Sequence, residues 1–410
     1  MAGIRVIFIL VGAAMAVFTP FISVLLSARG FDPAAIGRVT AASSLAFAVL
    51  IPVWSHLADV TLGRRRALVV AGIGAAGFVL AAGLPLPVII LGACFVGFAA
   101  FECSWGPLSD ALAVNAVRDQ VRGYGRIRLL ASGGFAVAVV AAGYLYDRTG
   151  YGPSYVLCSV LSLVLAASAV FAPDIARADL AAISARAGGR SVPGRGGSFG
   201  VALRVQPRLH RVLLAILLAY AGMMAGFTYL PLRIIALGGQ PSDVGLAAAV
   251  SAFAEIPALL VAGQVAARIG LRGLFALSAA IYAACFASWI VIDAPALIIA
   301  SRVATGVAYG GFGVAAVLAM WLLLPSRLQA TGQGLYQVTA FGLAAIVANL
   351  AGGVVYGSLG HGVLFAGSAI LSLAAAAAGF AWLPRRGEPA IGEPEPVSGP
   401  PLPLTSTTIG

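Results

Sequence analysis

Lysine is missing from this 410-residue chain, and all 25 basic residues are arginine. That alone excludes a Walker-type phosphate loop, a Schiff-base lysine and a Ser-Lys dyad. Histidine is nearly missing as well. The three present, His56, His210 and His361, fall near the ends of hydrophobic runs, so no His-acid-Ser triad or metal constellation can be assembled inside them. Charged residues make up 10% of the chain, against about 25% in an ordinary soluble domain, so most of the chain must avoid water. The cysteines, Cys94, Cys103, Cys158 and Cys285, sit within apolar stretches at no metal-ligand spacing. They read as small buried hydrophobes without a disulfide.

What the chain has in abundance is apolar length: 61% of its residues are hydrophobic and its mean hydropathy is +1.01. A membrane helix needs about 20 mainly apolar residues. Twelve such runs can be traced, at about Ile4 to Ala28, Ala34 to Leu57, Ala67 to Leu84, Val88 to Ala111, Ile127 to Tyr146, Ser154 to Ala172, Val212 to Leu237, Val244 to Ala267, Leu274 to Ile292, Ala296 to Leu324, Leu335 to Tyr356 and Val363 to Leu383. An all-α integral membrane protein with twelve transmembrane helices is expected. The first run exceeds the roughly 7 to 15 apolar residues of a signal peptide and is expected to be retained.

A net charge of +11 and a pI near 10.1 would suit a nucleic-acid binder only if the charges clustered on a soluble face. Here they punctuate the apolar runs instead. Twenty arginines fall in one alternate set of connections; four, Arg29, Arg38, Arg148 and Arg233, fall in the other, and Arg302 lies within a run. Cytoplasmic connections retain positive charge. Both termini are therefore expected in the cytoplasm, with the protein spanning the inner or plasma membrane. The bilayer rather than nucleic acid is its expected large partner, with only an unspecific attraction to anionic lipid.

Residues 174–211 form the one internal stretch that is polar, Gly/Ser-rich and repeatedly charged. It divides an N-terminal six-helix bundle, 1–173, from a C-terminal one, 212–384, and a Pro-rich tail, 385–410, is expected to be disordered. The halves repeat. A shift of 208 residues places Gly37 on Gly245, Ser55 on Gly263 and Asp59 on Ala267, and a shift of 210 places Gly143, Tyr146 and Gly150 on Gly353, Tyr356 and Gly360. Two pseudo-symmetric bundles of this kind hold a small-molecule site between them, near the bilayer midplane.

Gly72-Ile-Gly-Ala-Ala-Gly77 matches a dinucleotide fingerprint as a string but lies inside an apolar run, with no acid before Glu102. No cofactor is expected. Small residues there, and at Gly222/Gly226, Gly306/Gly310 and Gly353/Gly357, instead permit close helix approach.

Ser55-His-Leu-Ala-Asp59-Val-Thr-Leu-Gly63-Arg64-Arg65-Arg66 resembles the signature loop of the major facilitator superfamily. Ser55 and Val60 depart from the usual Gly and basic residue, and one extra residue separates Asp59 from Gly63. Asp59 with Arg64 and Arg65 can form a charge-assisted gating latch. An ordinary positive-inside loop would explain the arginines but not the acid. Trp105-Gly-Pro-Leu-Ser-Asp110, Tyr124-Gly-Arg126-Ile-Arg128-Leu and Leu324-Pro-Ser-Arg327-Leu-Gln-Ala-Thr-Gly-Gln333-Gly-Leu-Tyr336 are similar to the subgroup of phenylpropionate permeases, lactose permease relatives and nucleoside-proton symporters. The resemblance runs from Ile4 to Leu383. It implies the major facilitator fold, alternating-access transport rather than enzymatic activity, and a structural or gating pair of Asp110 with Arg126 or Arg128.

An ionisable group at the centre of a span costs at least about 2.5 to 3.5 kcal/mol by insertion scales. Glu102, Glu255 and Arg302 lie clearly inside. Glu255 is some 16 Å along its span by the helical rise, and its repeat partner is the apolar Phe47. It is expected to carry the coupling proton. Alternatives are a hydrogen bond to a neighbouring helix or direct substrate contact. Glu102 is expected to orient substrate or carry a second proton. Arg302 either snorkels to the outer interface or attracts an anion at the cavity mouth. Trp105, Tyr220, Tyr229, Tyr309, Gln337 and Asn349 complete the expected cavity, the aromatics also suiting packing or interface belts. The expected function is movement of a nucleoside, sugar or aromatic acid by proton symport, as a monomer. Proton-antiport efflux is the main alternative, and a non-transporting receptor a more distant one.

Overall fold

The computed structural model describes residues 2–116, 120–172, 199–325 and 328–388. Ten helices among them are long and apolar enough to cross a membrane. Two of these, Pro241–Val291 and Thr331–Trp382, run for 51 and 52 residues. At 1.5 Å per residue each would be about 75 Å long, more than twice the roughly 30 Å hydrocarbon core. Each breaks at a glycine in left-handed backbone, Gly270 (φ 75°) and Gly360 (φ 82°), where a Cβ would be strained. Their limbs supply the runs that the sequence separates.

The crossing segments are α1 (Gly3–Ala28), α2 (Pro33–Leu62), α3 (Arg64–Ala82), α4 (Val88–Ala113), α5 (Gln120–Thr149), α6 (Gly152–Val170) and α7 (Arg208–Ala236). The limbs of Pro241–Val291 are α8 and α9, α10 is Pro295–Leu323, and the limbs of Thr331–Trp382 are α11 and α12. The start of α1 lies beside the end of α6, and Arg208 at the start of α7 donates to the Trp382 and Leu383 carbonyls at the end of α12. These ends define a terminal face. Of the stretch expected as a linker, residues 174–198 lie outside the described residues, as do 389–410 of the tail, whereas Phe199–Val205 forms a short helix.

Local sequence explains several irregularities. Asp32 caps α2 by accepting from the Ala35 N–H at 2.6 Å, with Pro33 in the first turn. Pro20 falls where α1 narrows to a 3₁₀ turn, Thr19–Phe21. The last turn of α2, Leu57–Leu62, is a π turn. A π turn holds one residue more than an α turn, and this is where the extra residue between Asp59 and Gly63 is absorbed.

The two halves meet on bare backbone far from the terminal face. A Cβ on Gly37 would collide with the Asn349 carbonyl and stand 2.8 Å from the Tyr229 hydroxyl, and one on Gly353 would lie 2.6 Å from the Pro33 carbonyl. On the other side of the seam, a Cβ on Gly143 would lie 2.7 Å from Ser242 Cα, and one on Gly245 2.6 Å from the Val139 carbonyl. The contacts follow the repeat: α2 packs on α11 and α8 on α5, through the glycines that the internal shifts match. All four lie within about 10 Å of the non-terminal face by helical rise.

Candidate functional site

Beside this seam, at a similar depth from the non-terminal face, lies a cavity of about 350 Å³ that both halves line. Thr19, Pro20 and Ser23 of α1 and Thr40 of α2 face Phe227 and Thr228 of α7, Ala247 and Ala248 of α8 and Arg302 of α10. The break at Pro20 and the cluster of hydroxyl residues make this stretch of α1 and α2 the more polar wall.

Arg302 supplies the cavity's charge. It is 9% exposed, and its Nε and Nη1 donate to the Ala247 carbonyl at 3.2 Å and the Thr305 hydroxyl at 2.9 Å. Its guanidinium carbon stands 4.2 Å from the Phe227 ring centroid, a cation–π contact. No carboxylate among the described residues comes within ion-pair distance. The same Phe227 meets the ring of Tyr282 at 5.8 Å, and the buried Tyr282 hydroxyl has no hydrogen-bond partner among the described residues. Leaving a buried donor unmet costs about 1–3 kcal/mol, and Tyr282 lies beside the cavity residue Phe227 without itself lining the cavity.

Glu255 lies half-buried on α8, about 12 Å beyond Ala247 by helical rise. Its backbone carbonyl would be 3.3 Å from a Cβ on Gly310, so α10 closes on α8 there. It is not among the residues lining the cavity. Glu102, half-buried, ends the first helical stretch of α4, before the break at Cys103 and Ser104. There Ser104 donates back to the Phe101 carbonyl and the Trp54 indole to the Ala100 carbonyl, both at 2.8 Å. Beyond the break, Trp105 is fully buried edge-on to Phe98, and its indole N–H and the nearby Ser109 hydroxyl lack partners among the described residues.

The other expected residues do not line this cavity. Asn349 accepts from the Thr228 hydroxyl at 2.8 Å and donates to Ser44 of the other half at 3.4 Å. Tyr229 donates to the Asn349 carbonyl at 3.0 Å and stacks on Tyr356. The hydroxyls of Tyr220 and Tyr336 lie 2.6 Å apart within an aromatic group that includes Phe312 and Phe341. Tyr309 is half-buried on α10, and Gln337 is exposed just before a π turn, Val338–Leu343, in α11. Asp59 pairs with Arg64 at 3.3 Å, and Arg64 reaches the Ala111 carbonyl, so this contact joins α2, α3 and α4 within one half. Arg65 follows Arg64 in the first turn of α3, and Asp110 is half-buried on α4. The side chains of Arg126 and Arg128 lie outside the described residues.

Sequence reasoning missed Asp147. At the end of α5 it accepts from the Ser242 N–H at 2.8 Å, so a carboxylate of one half caps the first turn of a helix in the other. Its position one residue after the repeat-matched Tyr146 was the available signal.

Helices long and apolar enough to cross a membrane, with a cavity lined from both halves of the chain among the described residues, have the architecture of a membrane transporter. Residues 2–366 match the model of the MFS_1 like family, and the chain belongs to that family within the major facilitator superfamily. It is not an enzyme. A maltose permease of Geobacillus stearothermophilus is 30% identical over 352 residues, covering 84% of this chain and 85% of that one. An uncharacterized transporter, YwbF, of Bacillus subtilis (strain 168) is 24% identical over 345 residues, covering 83% and 82%. The fold matches a nucleoside transporter NupG mutant with a TM-score of 0.80 at 15% identity, covering 93% of this chain and 99% of that one. It matches a D-xylose-proton symporter with a TM-score of 0.72 at 13% identity, covering 95% and 98%.

Proposed function

We propose that the protein takes up a sugar, in preference to a nucleoside, by proton symport, as a monomer in the cell's inner membrane. The observation that carries this reading is the cavity shared by both halves, with a buried cation, an aromatic platform and several hydroxyls. Such a surface suits a polyhydroxylated ring, stacked on Phe227 and hydrogen-bonded to Arg302 and its threonine neighbours. The resemblance to a maltose permease over most of the chain supports a sugar.

With the terminal face taken as cytoplasmic, the glycine seam and the Asp147 cap seal the outer side. Substrate then leaves toward the cytoplasm, and the halves rock about the cavity to return. Glu255, and secondarily Glu102, carry the coupling proton. A carboxyl in the membrane interior can be neutralised by protonation on one side and discharged on the other. Asp59 with Arg64 and Arg65, and Asp110 with Arg126 or Arg128, act as cytoplasmic gating contacts.

Proteoliposomes test this directly. Labelled maltose should accumulate when the lumen is made alkaline, and more than labelled uridine does. Uridine accumulation without maltose would move the substrate to nucleosides, and accumulation driven instead by an acidic lumen would replace symport with antiport.

A further inference from the structure

Away from the cavity, the terminal face of the C-terminal bundle holds a concentration of arginines. Arg208 and Arg211 at the start of α7, Arg272 at the start of α9, and Arg385 and Arg386 after α12 surround a pocket of about 540 Å³. Trp382 and Ala381 form its apolar side. One acid, Glu388, faces these five cations.

The arginines divide by what they hold. Arg208 donates to the Trp382 and Leu383 carbonyls, Arg272 to the Leu383 carbonyl and Arg386 to the Arg268 carbonyl. These bonds brace the pocket and order the chain leaving α12. The side chains of Arg211 and Arg385 donate to no protein acceptor among the described residues, so two guanidiniums remain available. Glu388 is paired with Arg208 and accepts from the Arg385 N–H at 2.7 Å. Partial burial works against its charge, yet the Arg385 N–H and the neighbouring Arg208 and Arg272 hold its carboxyl below the ordinary carboxylate range. The pocket therefore already stabilises one oxyanion, supplied by the chain itself, and keeps an excess of positive charge.

We propose that this pocket is a binding site for a phosphate group, with Arg211 and Arg385 as its ligand-facing guanidiniums and Glu388 as an internal carboxylate that the phosphate displaces. A planar guanidinium donates two parallel hydrogen bonds to phosphate oxygens, and several around one pocket match a tetrahedral oxyanion better than a single carboxylate. The apolar Trp382 and Ala381 beside the charges suit the boundary of a bilayer, where the phosphate is that of an anionic phospholipid. A free phosphate offers the same oxygens.

Thermal unfolding of the full-length purified protein separates the sources and needs no transport. One arm adds phosphatidylglycerol against a phosphatidylcholine background, and the other adds inorganic phosphate to lipid-depleted detergent micelles. A saturable rise in Tm is expected with phosphatidylglycerol, and a rise in the second arm as well would assign the site to free phosphate too. The paired change Arg211→Gln and Arg385→Gln spares the arginines that brace the chain and should weaken the apparent affinity about tenfold or more. Glu388→Gln should strengthen it, because it removes the competing charge. No rise in either arm, or weaker binding in Glu388→Gln, would overturn the assignment.

Discussion

The two ends of the interbundle seam are built on different chemistry. Near the non-terminal face the halves touch through glycine backbone at Gly37, Gly143, Gly245 and Gly353, and a carboxylate of α5 caps α8 across the gap. Near the terminal face, the signature ion pair of Asp59 and Arg64 stays within one half. Backbone packing of this kind is short-ranged and either made or lost. An exposed ion pair is worth only about 0.2–1 kcal/mol and can be remade elsewhere as the bundles move. A transporter that must open and close both faces needs a close seal that can break as a unit, and the glycine seam supplies one.

Substitutions can break or sharpen this contrast. The largest effect is expected outside the seam, at the carboxyl proposed to carry the coupling proton: Glu255→Gln should reduce pH-driven accumulation at least about 100-fold, while substrate exchange without a gradient persists. Uptake and counterflow assays on the same vesicles separate the two, and intact accumulation would remove Glu255 from the coupling role. Next, Arg302→Gln should weaken substrate binding by about 1.5–3 kcal/mol, the worth of hydrogen bonds to a charged group. A rise of roughly tenfold or more in apparent KM would show it. Asp147→Ala should cost the closed seam about 1 kcal/mol, the usual value of a helix cap. Accessibility of a cysteine placed at the non-terminal face should rise accordingly. Asp59→Asn should change stability least, by less than about 1 kcal/mol in a thermal melt.

Much of this was legible in the sequence because membrane crossing is a strong constraint. A run of about 20 apolar residues has few structural alternatives in lipid. The repeat shifts pointed to the glycines now found at the seam, since a pseudo-symmetric pair of bundles repeats its closest contacts. The small-residue pair Gly306 and Gly310 predicts close helix packing, and a Cβ on Gly306 would collide with the Ser251 carbonyl of α8.

The site was less legible, because side-chain partners across twelve helices are not encoded locally. Asn349 calls for a hydrogen-bond partner wherever it lies in a span, but that its partners are Thr228 and, from the other half, Ser44 is visible only in the fold. Thr19, Ser23 and Thr40 attract no notice as isolated polar residues and become a cavity wall only when α1 and α2 meet α7. Asp147 stands at a helix end, where an acid is ordinarily a solvated residue, and only the neighbouring Ser242 N–H of the other half gives it a role. The π turn at Leu57–Leu62 could have been anticipated, since the one-residue surplus before Gly63 had to be absorbed somewhere.

Alternating access about the Arg302 cavity is tested most directly by distances across the seam at both faces. Spin labels would be placed in lipid-reconstituted protein as one pair at the non-terminal ends of α2 and α11 and another at the terminal ends of α4 and α10. On adding maltose at acidic pH, the populations at the two faces should shift in opposite directions, one pair moving apart as the other draws together. Unchanged distances at both faces, or movement of both in the same direction, would contradict rocking of the two bundles about that cavity.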